Sequence, residues 1–140
     1  MADDETRFAE GLEAYDAGDF DATVAAWRPL AEAGHVEAQV AVAGLYLQGL
    51  GVRADPAEAA RWYRTAAEAG DAVAQLNLGD LYSRGLGVPL DLVEAYAWLT
   101  LAAEQGNRWP AARRDEIAVG LSDAELEEAR KRVNRYRSSL

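Results

Sequence analysis

The residues able to do chemistry are few and scattered. The tetrapeptide Gly-Leu-Gly-Val occurs twice, at 49–52 and 85–88. A glycine-rich loop can cradle phosphate, but only with a strand before it and a further glycine opening a helix behind it. Neither flank supplies these, so the motif reads as a turn. Asp55 and Asp91 stand three residues past each copy, where a carboxylate caps a helix by accepting a backbone N–H. His35 is the only histidine and the chain has no cysteine, so it has no second nitrogen or sulfur ligand with which to share a metal. Its place beside Gly34 reads as a surface turn. Glu37 and Asp80 are the only candidates for a carboxylate pair doing acid–base work. Trp27, Trp62 and Trp98 read as core fillers; Trp109 falls outside their pattern and is expected partly exposed, as a contact residue. No catalytic residue, metal ligand or cofactor site emerges.

The elements that must position these residues come from a repeat. Gly34 to Ala69 reads GHVEAQVAVAGLYLQGLGVRADPAEAARWYRTAAEA, and Gly70 to Gln105 reads GDAVAQLNLGDLYSRGLGVPLDLVEAYAWLTLAAEQ. Laid over each other without a gap they agree at 16 of 36 positions. A period in this range marks a repeat array, and such arrays generally bind other molecules rather than transform them.

Composition narrows the function further. The net charge is −10, with 18 acidic and 6 basic residues before Asn107 but 6 acidic and 8 basic from there on. An acidic body repels phosphate backbones, so nucleic acid is not an expected partner. The basic run Arg130, Lys131, Arg132, Arg135 and Arg137 reads as cations favoured near a helix C-terminus, with a docking patch as the alternative. No apolar stretch approaches the roughly 18 residues of a membrane span, so no membrane insertion is expected. The start, MADDETRFAEG, carries no secretory signal. The chain as written reads as cytoplasmic; a protein trimmed after export to the periplasm would look the same.

In order, residues 4–33 form a divergent first unit. Phe8, Leu12 and Tyr15 make one helix face, Gly18-Asp19 breaks it, and Phe20 opens a second helix with Val24, Trp27 and Leu30. Pro29 should bend or weaken that helix by deleting a donor. Nothing before Phe8 is polar enough to serve as a helix cap. In 34–69, a helix from about Val36 to Gln48 ends at Gly49. Asp55-Pro56-Ala57-Glu58 then starts another, with Glu58 as reciprocal partner of the cap. In 70–105 the same logic places Asp91 and Glu94. Residues 106–140 depart from the repeat. Pro110 starts a short helix to about Val119, and Ser122 with Glu125 makes a capping box with a Leu121–Leu126 staple. A charged helix from about Asp123 to Arg137 follows as a terminal cap with one wet face.

The run A-x-x-x-L-x-x-G-x-G-V-x-x-D followed by A-x-x-W-Y-x-x-A-A-x-x-G resembles the Sel-one-like repeat family, a branch of the tetratricopeptide superfamily. It is carried by Leu45, Tyr46, Gly49, Gly51, Val52, Asp55, Ala59, Trp62, Tyr63, Ala66, Ala67 and Gly70, and again from Leu78 to Gly106. It departs at Ala43, where the family prefers glycine, and at Leu99, where it prefers an aromatic. The resemblance implies an all-α, right-handed superhelical solenoid of antiparallel helix hairpins over residues 1–140, whose first helices line a concave groove. It also implies a non-enzymatic adaptor or scaffold that binds a protein or peptide partner. The groove would be lined by Glu37, Val40, Gly44, Leu47 and Gln48 from one unit, and by Val73, Leu76, Asn77, Asp80, Ser83 and Arg84 from the next. The alternatives are a structural, self-assembling unit and a hydrolase using groove carboxylates. A monomer or weak homo-oligomer is expected.

Overall fold

A computed structural model describes residues 3–140, and among them every regular element is an α-helix. The eight are α1 (Asp4–Asp16), α2 (Phe20–Glu32), α3 (Val36–Gln48), α4 (Pro56–Glu68), α5 (Ala72–Arg84), α6 (Leu92–Glu104), α7 (Arg108–Val119) and α8 (Asp123–Ser139). The chain divides into two compact units, Met1–Tyr63 and Arg64–Leu140.

Local chemistry explains the boundaries. Asp19, Asp55, Asp71 and Asp91 each accept a backbone N–H three residues on, at 2.8 to 3.2 Å. Each thereby satisfies one of the free donors of a helix start. α3 and α5 stop at Gly49 (φ 72°) and Gly85 (φ 63°), left-handed positions whose N–H groups return to the Leu45 and Leu81 carbonyls. The chain then turns sharply enough to lay α6 along α5. Ser122 and Glu125 form the full capping box of α8: the Glu125 N–H donates to Ser122 Oγ, and the Ser122 N–H to Glu125 Oε1.

Three expectations are corrected. α1 begins at Asp4, capped by Asp3, whose Oδ1 accepts from the Thr6 N–H at 2.8 Å. The start of the chain is therefore polar enough to cap a helix ahead of Phe8. α2 continues through Pro29 to Glu32, so the proline does not end the helix. Ala25 and Pro29 are both exposed, so the carbonyl deprived of its donor lies on the wet side. α7 starts at Arg108, two residues before Pro110, and proline fits within a first turn, where no helical donor is needed. Glu58 and Glu94 do not reach back to cap their helices; their side chains turn to Arg61 and to Trp98.

In the unit Met1–Tyr63, α2 packs against both α1 and α3, burying Trp27, Leu30, Ala31, Val42, Leu45 and Tyr46. Gly11 permits the close approach of α1, because a β-carbon there would lie 2.0 Å from Trp27 Nε1. In the unit Arg64–Leu140, α6 is central and touches α5, α7 and α8. Ala95, Leu99, Ile117 and Leu121 form its apolar centre, with Leu76, Tyr82 and Leu126 against them. Leu121 and Leu126 thus join the same cluster, as the staple reading requires.

Candidate functional site

In the first unit the surface to consider lies between α1 and α3. Glu5, Phe8, Ala9 and Leu12 recur at helical spacing on α1 and line a cleft of about 420 Å³ whose other wall is His35 and Glu37. A second cleft of about 200 Å³ is bounded by Tyr15, Trp27, Ala41, Gly44, Leu45 and Gln48. Of the five α3 residues assigned to a groove, Glu37, Gly44 and Gln48 therefore border open clefts. Val40 and Leu47 are half-buried.

Stacked rings make the floor. Phe8 lies 5.2 Å from Trp27 and 5.5 Å from His35, within the range where aromatic pairs attract. Trp27 is fixed from behind by its Nε1–H, which donates to the Phe8 carbonyl at 3.0 Å. His35 is not a free turn residue: its Nδ1 accepts the Ala38 N–H at 3.1 Å and caps α3. With Nδ1 accepting, the neutral ring carries its proton on Nε2.

The α5 face of the second unit is differently used. Val73 and Arg84 are exposed; Asn77 and Asp80 are half-buried. Arg84 Nε donates to Asp80 Oδ1 at 3.1 Å, a pair one helical turn apart. Asn77 donates to the Val73 carbonyl at 2.9 Å. Leu76 and Ser83 are committed to the C-terminal helices: Leu76 packs against the cluster holding Ile117 and Leu121, and Ser83 Oγ accepts from Arg113 Nη2 at 3.4 Å.

The densest polar cluster has no counterpart in the sequence pattern. Glu94, buried on α6, accepts from Trp98 Nε1 at 3.0 Å, Arg132 Nη1 at 2.7 Å and the Tyr136 hydroxyl at 2.8 Å. Burial, then the hydrogen bond to Glu94, pushes the Tyr136 hydroxyl from its ordinary 10.0 up to about 12. Arg132 also pairs with Glu128 and Asp91, and Arg137 with Glu104. The basic run is thus split, its paired members anchoring α8 to α6 rather than only answering a helix dipole. Among the described residues Arg130, Lys131 and Arg135 have no such pairing. Beside this cluster a cleft of about 420 Å³ is bounded by Arg64, Glu68, Trp98, Arg135 and Tyr136. Arg64 is held there, lying 5.6 Å over the Tyr82 ring and donating to its hydroxyl.

The arrangement offers several open clefts on the helix faces. Among the described residues no group of three His, Cys, Asp or Glu side chains could hold a metal. The Gly49 and Leu50 N–H groups both donate to the Leu45 carbonyl, so those donors of the first Gly-Leu-Gly-Val are occupied by the helix end. Trp109 is 51% exposed and Trp98 is buried. No helix among the described residues is long and apolar enough to cross a membrane.

Comparison with known proteins places this geometry. The sequence pattern of the Sel1 repeat matches residues 36–71 and 72–107. The structure is similar to that of a protective antigen of uropathogenic Escherichia coli strains displaying an SLR fold. The TM-score is 0.92 and the identity 30%, over 99% of this chain and 30% of that one. It is also similar to a Sel1 repeat protein from Oxalobacter formigenes, with TM-score 0.74 and identity 34%, over 81% of this chain and 89% of that one. The chain thus spans less than a third of the antigen's length. No curated protein matches the sequence.

Proposed function

Because the chain belongs to the Sel1 repeat family, we propose that it is a protein-interaction module holding a protein or peptide segment on its first hairpin helices. It is a helical repeat protein, a class that generally mediates protein contacts and is typically non-enzymatic. The observation that carries the reading is the open, aromatic-floored cleft bordered by Glu37 on α3, beside a second bordered by Gly44 and Gln48. Among the described residues the side chains of Glu37 and Gln48 have no hydrogen-bond or ion-pair partner, and a bound segment gives them a use.

On this reading α3 contributes Glu37, Gly44 and Gln48 most directly, with Val40 and Leu47 beneath them. α5 contributes Val73, Asn77, Asp80 and Arg84, while Leu76 and Ser83 support that face from behind. The stretches 4–33, 34–69, 70–105 and 106–140 are the parts of this module, each with its own exposed face. Pull-down from a lysate with the wild type, a Gln48→Arg variant and an Asp80→Ala/Arg84→Ala double variant tests this. Capture of one protein that both variants lose is the expected result. Undiminished capture by both variants would count against these faces.

A further inference from the structure

The cleft between α1 and α3 has a chemical character that narrows its occupant. The unit up to Tyr63 carries 12 acidic residues against 4 basic ones. Glu5 and Glu37 stand on opposite walls of that cleft, and among the described residues neither has an ion-pair partner. Glu32 and Glu58 in the same unit each pair with an arginine on their own helix, and of the carboxylates left without one, Glu5 and Glu37 are those that line this cleft. Both carboxylates lie in first helical turns, where the macrodipole favours acids. That preference does not require them to face a shared cleft. Arg7, also on α1, and Asp4 are the nearest charges in sequence on that helix, and neither lines the cleft.

Between them the lining is made by Phe8, Ala9 and Leu12, with the His35 ring beside them. Leu12 is 45% exposed and Tyr15, farther along the same helix face, 38%. Phe8 and His35 present stacked rings, and aromatic rings attract cations as well as aliphatic groups. Elsewhere such rings already hold an arginine, Arg28 lying 6.0 Å from Tyr46 and Arg64 over Tyr82. Among the described residues, Phe8 and Tyr15 have none.

Resting on the interaction-module reading, we infer that the α1–α3 cleft takes a cationic peptide segment. A lysine or arginine sits between Glu5 and Glu37, and a neighbouring aliphatic side chain rests on Phe8 and Leu12. The negative unit draws such a segment in by long-range attraction, and the two carboxylates fix where its charge lands.

Fluorescence anisotropy with short labelled peptides tests this on the full chain. One peptide alternates arginine and leucine; in the others glutamate or serine replaces arginine. The arginine peptide is expected to bind, and Glu5→Gln/Glu37→Gln to weaken it roughly ten-fold. Since the double variant changes the net charge only from −10 to −8, a loss of that size reports the cleft rather than general attraction. Leu12→Ser should weaken binding several-fold, and raising the salt should weaken it steadily. Equal binding of the glutamate or serine peptide, or arginine-peptide binding that survives the double glutamine change, overturns the inference. So does self-association in sedimentation that the double change abolishes, because a second copy's α8 would then own the cleft. Partner capture that depends on α5 but ignores Glu5 and Glu37 sinks this inference and leaves the proposed function standing.

Discussion

Residues 34–69 and 70–105 are two copies of one instruction, yet their matching residues do different work. Glu58 is half-buried and pairs with the exposed Arg61 at 3.0 Å, while Trp62 Nε1 is buried without a hydrogen-bond partner. In the second copy Glu94 turns inward, takes the Trp98 N–H and holds Arg132 and Tyr136 as well. The buried glutamines differ in the same way. Gln39 and Gln75 each donate to a carbonyl at the end of the preceding helix, Ala31 or Ala67. Gln75 Oε1 in turn accepts from Gln105, whereas Gln39 Oε1 has no partner. The position matching Gln105 in the first copy is Ala69. A repeat therefore sets residue types, and the element packed against it sets their roles.

The comparison breaks hardest at the glutamates. Glu94→Ala strands the Arg132 charge and the donors of Trp98 and Tyr136, and should cost about 3 kcal/mol or more. Glu58→Ala removes an ion pair whose arginine lies in solvent, and should cost under about 1 kcal/mol. Denaturant unfolding followed by circular dichroism measures both; equal losses would show that the two copies use this residue alike.

A smaller contrast lies at Ala43 and Gly79, which occupy the same place in the two copies. A β-carbon at Gly79 would stand 2.8 Å from Leu99 Cγ and 3.3 Å from the Ala95 carbonyl. Gly79→Ala should therefore destabilise by about 1–3 kcal/mol despite its better helix propensity. Ala43→Gly, the opposite swap at a fully buried site, should also destabilise, by about 1 kcal/mol. Each exchange makes the copies more alike and the protein weaker; thermal midpoints would show a gain instead if the packing were interchangeable.

The smallest expected effect is a pH response at the Glu94 clamp, where Tyr136 of α8 meets the second copy. Tyr136 is held protonated to about pH 12 rather than 10.0, through burial and its bond to Glu94. Because its folded-state value is raised, its contribution is complete below about pH 10 and is lost as pH rises towards 12. Helix α8 should loosen in that window, and Tyr136→Phe should flatten this part of the alkaline unfolding curve. An unchanged curve would remove Tyr136 from the clamp.

The helical period, the glycine stops and the aspartate caps are legible in the sequence because each is decided within four residues. Asp91 caps α6 whatever lies beyond it, and Gly85 ends α5 for the same local reason. Pro29 and the basic run are not, because their effects depend on exposure and on distant partners. Arg132 meets Glu94 across 38 positions, which no local pattern announces. Part of the candidate surface is written in the sequence all the same. Glu5, Phe8, Ala9 and Leu12 recur at helical spacing with nothing opposite them in sequence, a stripe that periodicity alone cannot divide between core and cleft.

The succession of equal helices has a consequence for how the molecule comes into being. α1 to α6 are each 13 residues long, and the packing pairs join neighbours or near-neighbours in the chain. Contacts so close in sequence close small loops, and proteins built from them acquire structure in microseconds to milliseconds. A ribosome adds roughly 5–20 residues each second. Each hairpin therefore has ample time to form as it emerges, and α8, emerging after α6, brings the arginine and tyrosine that seal Glu94.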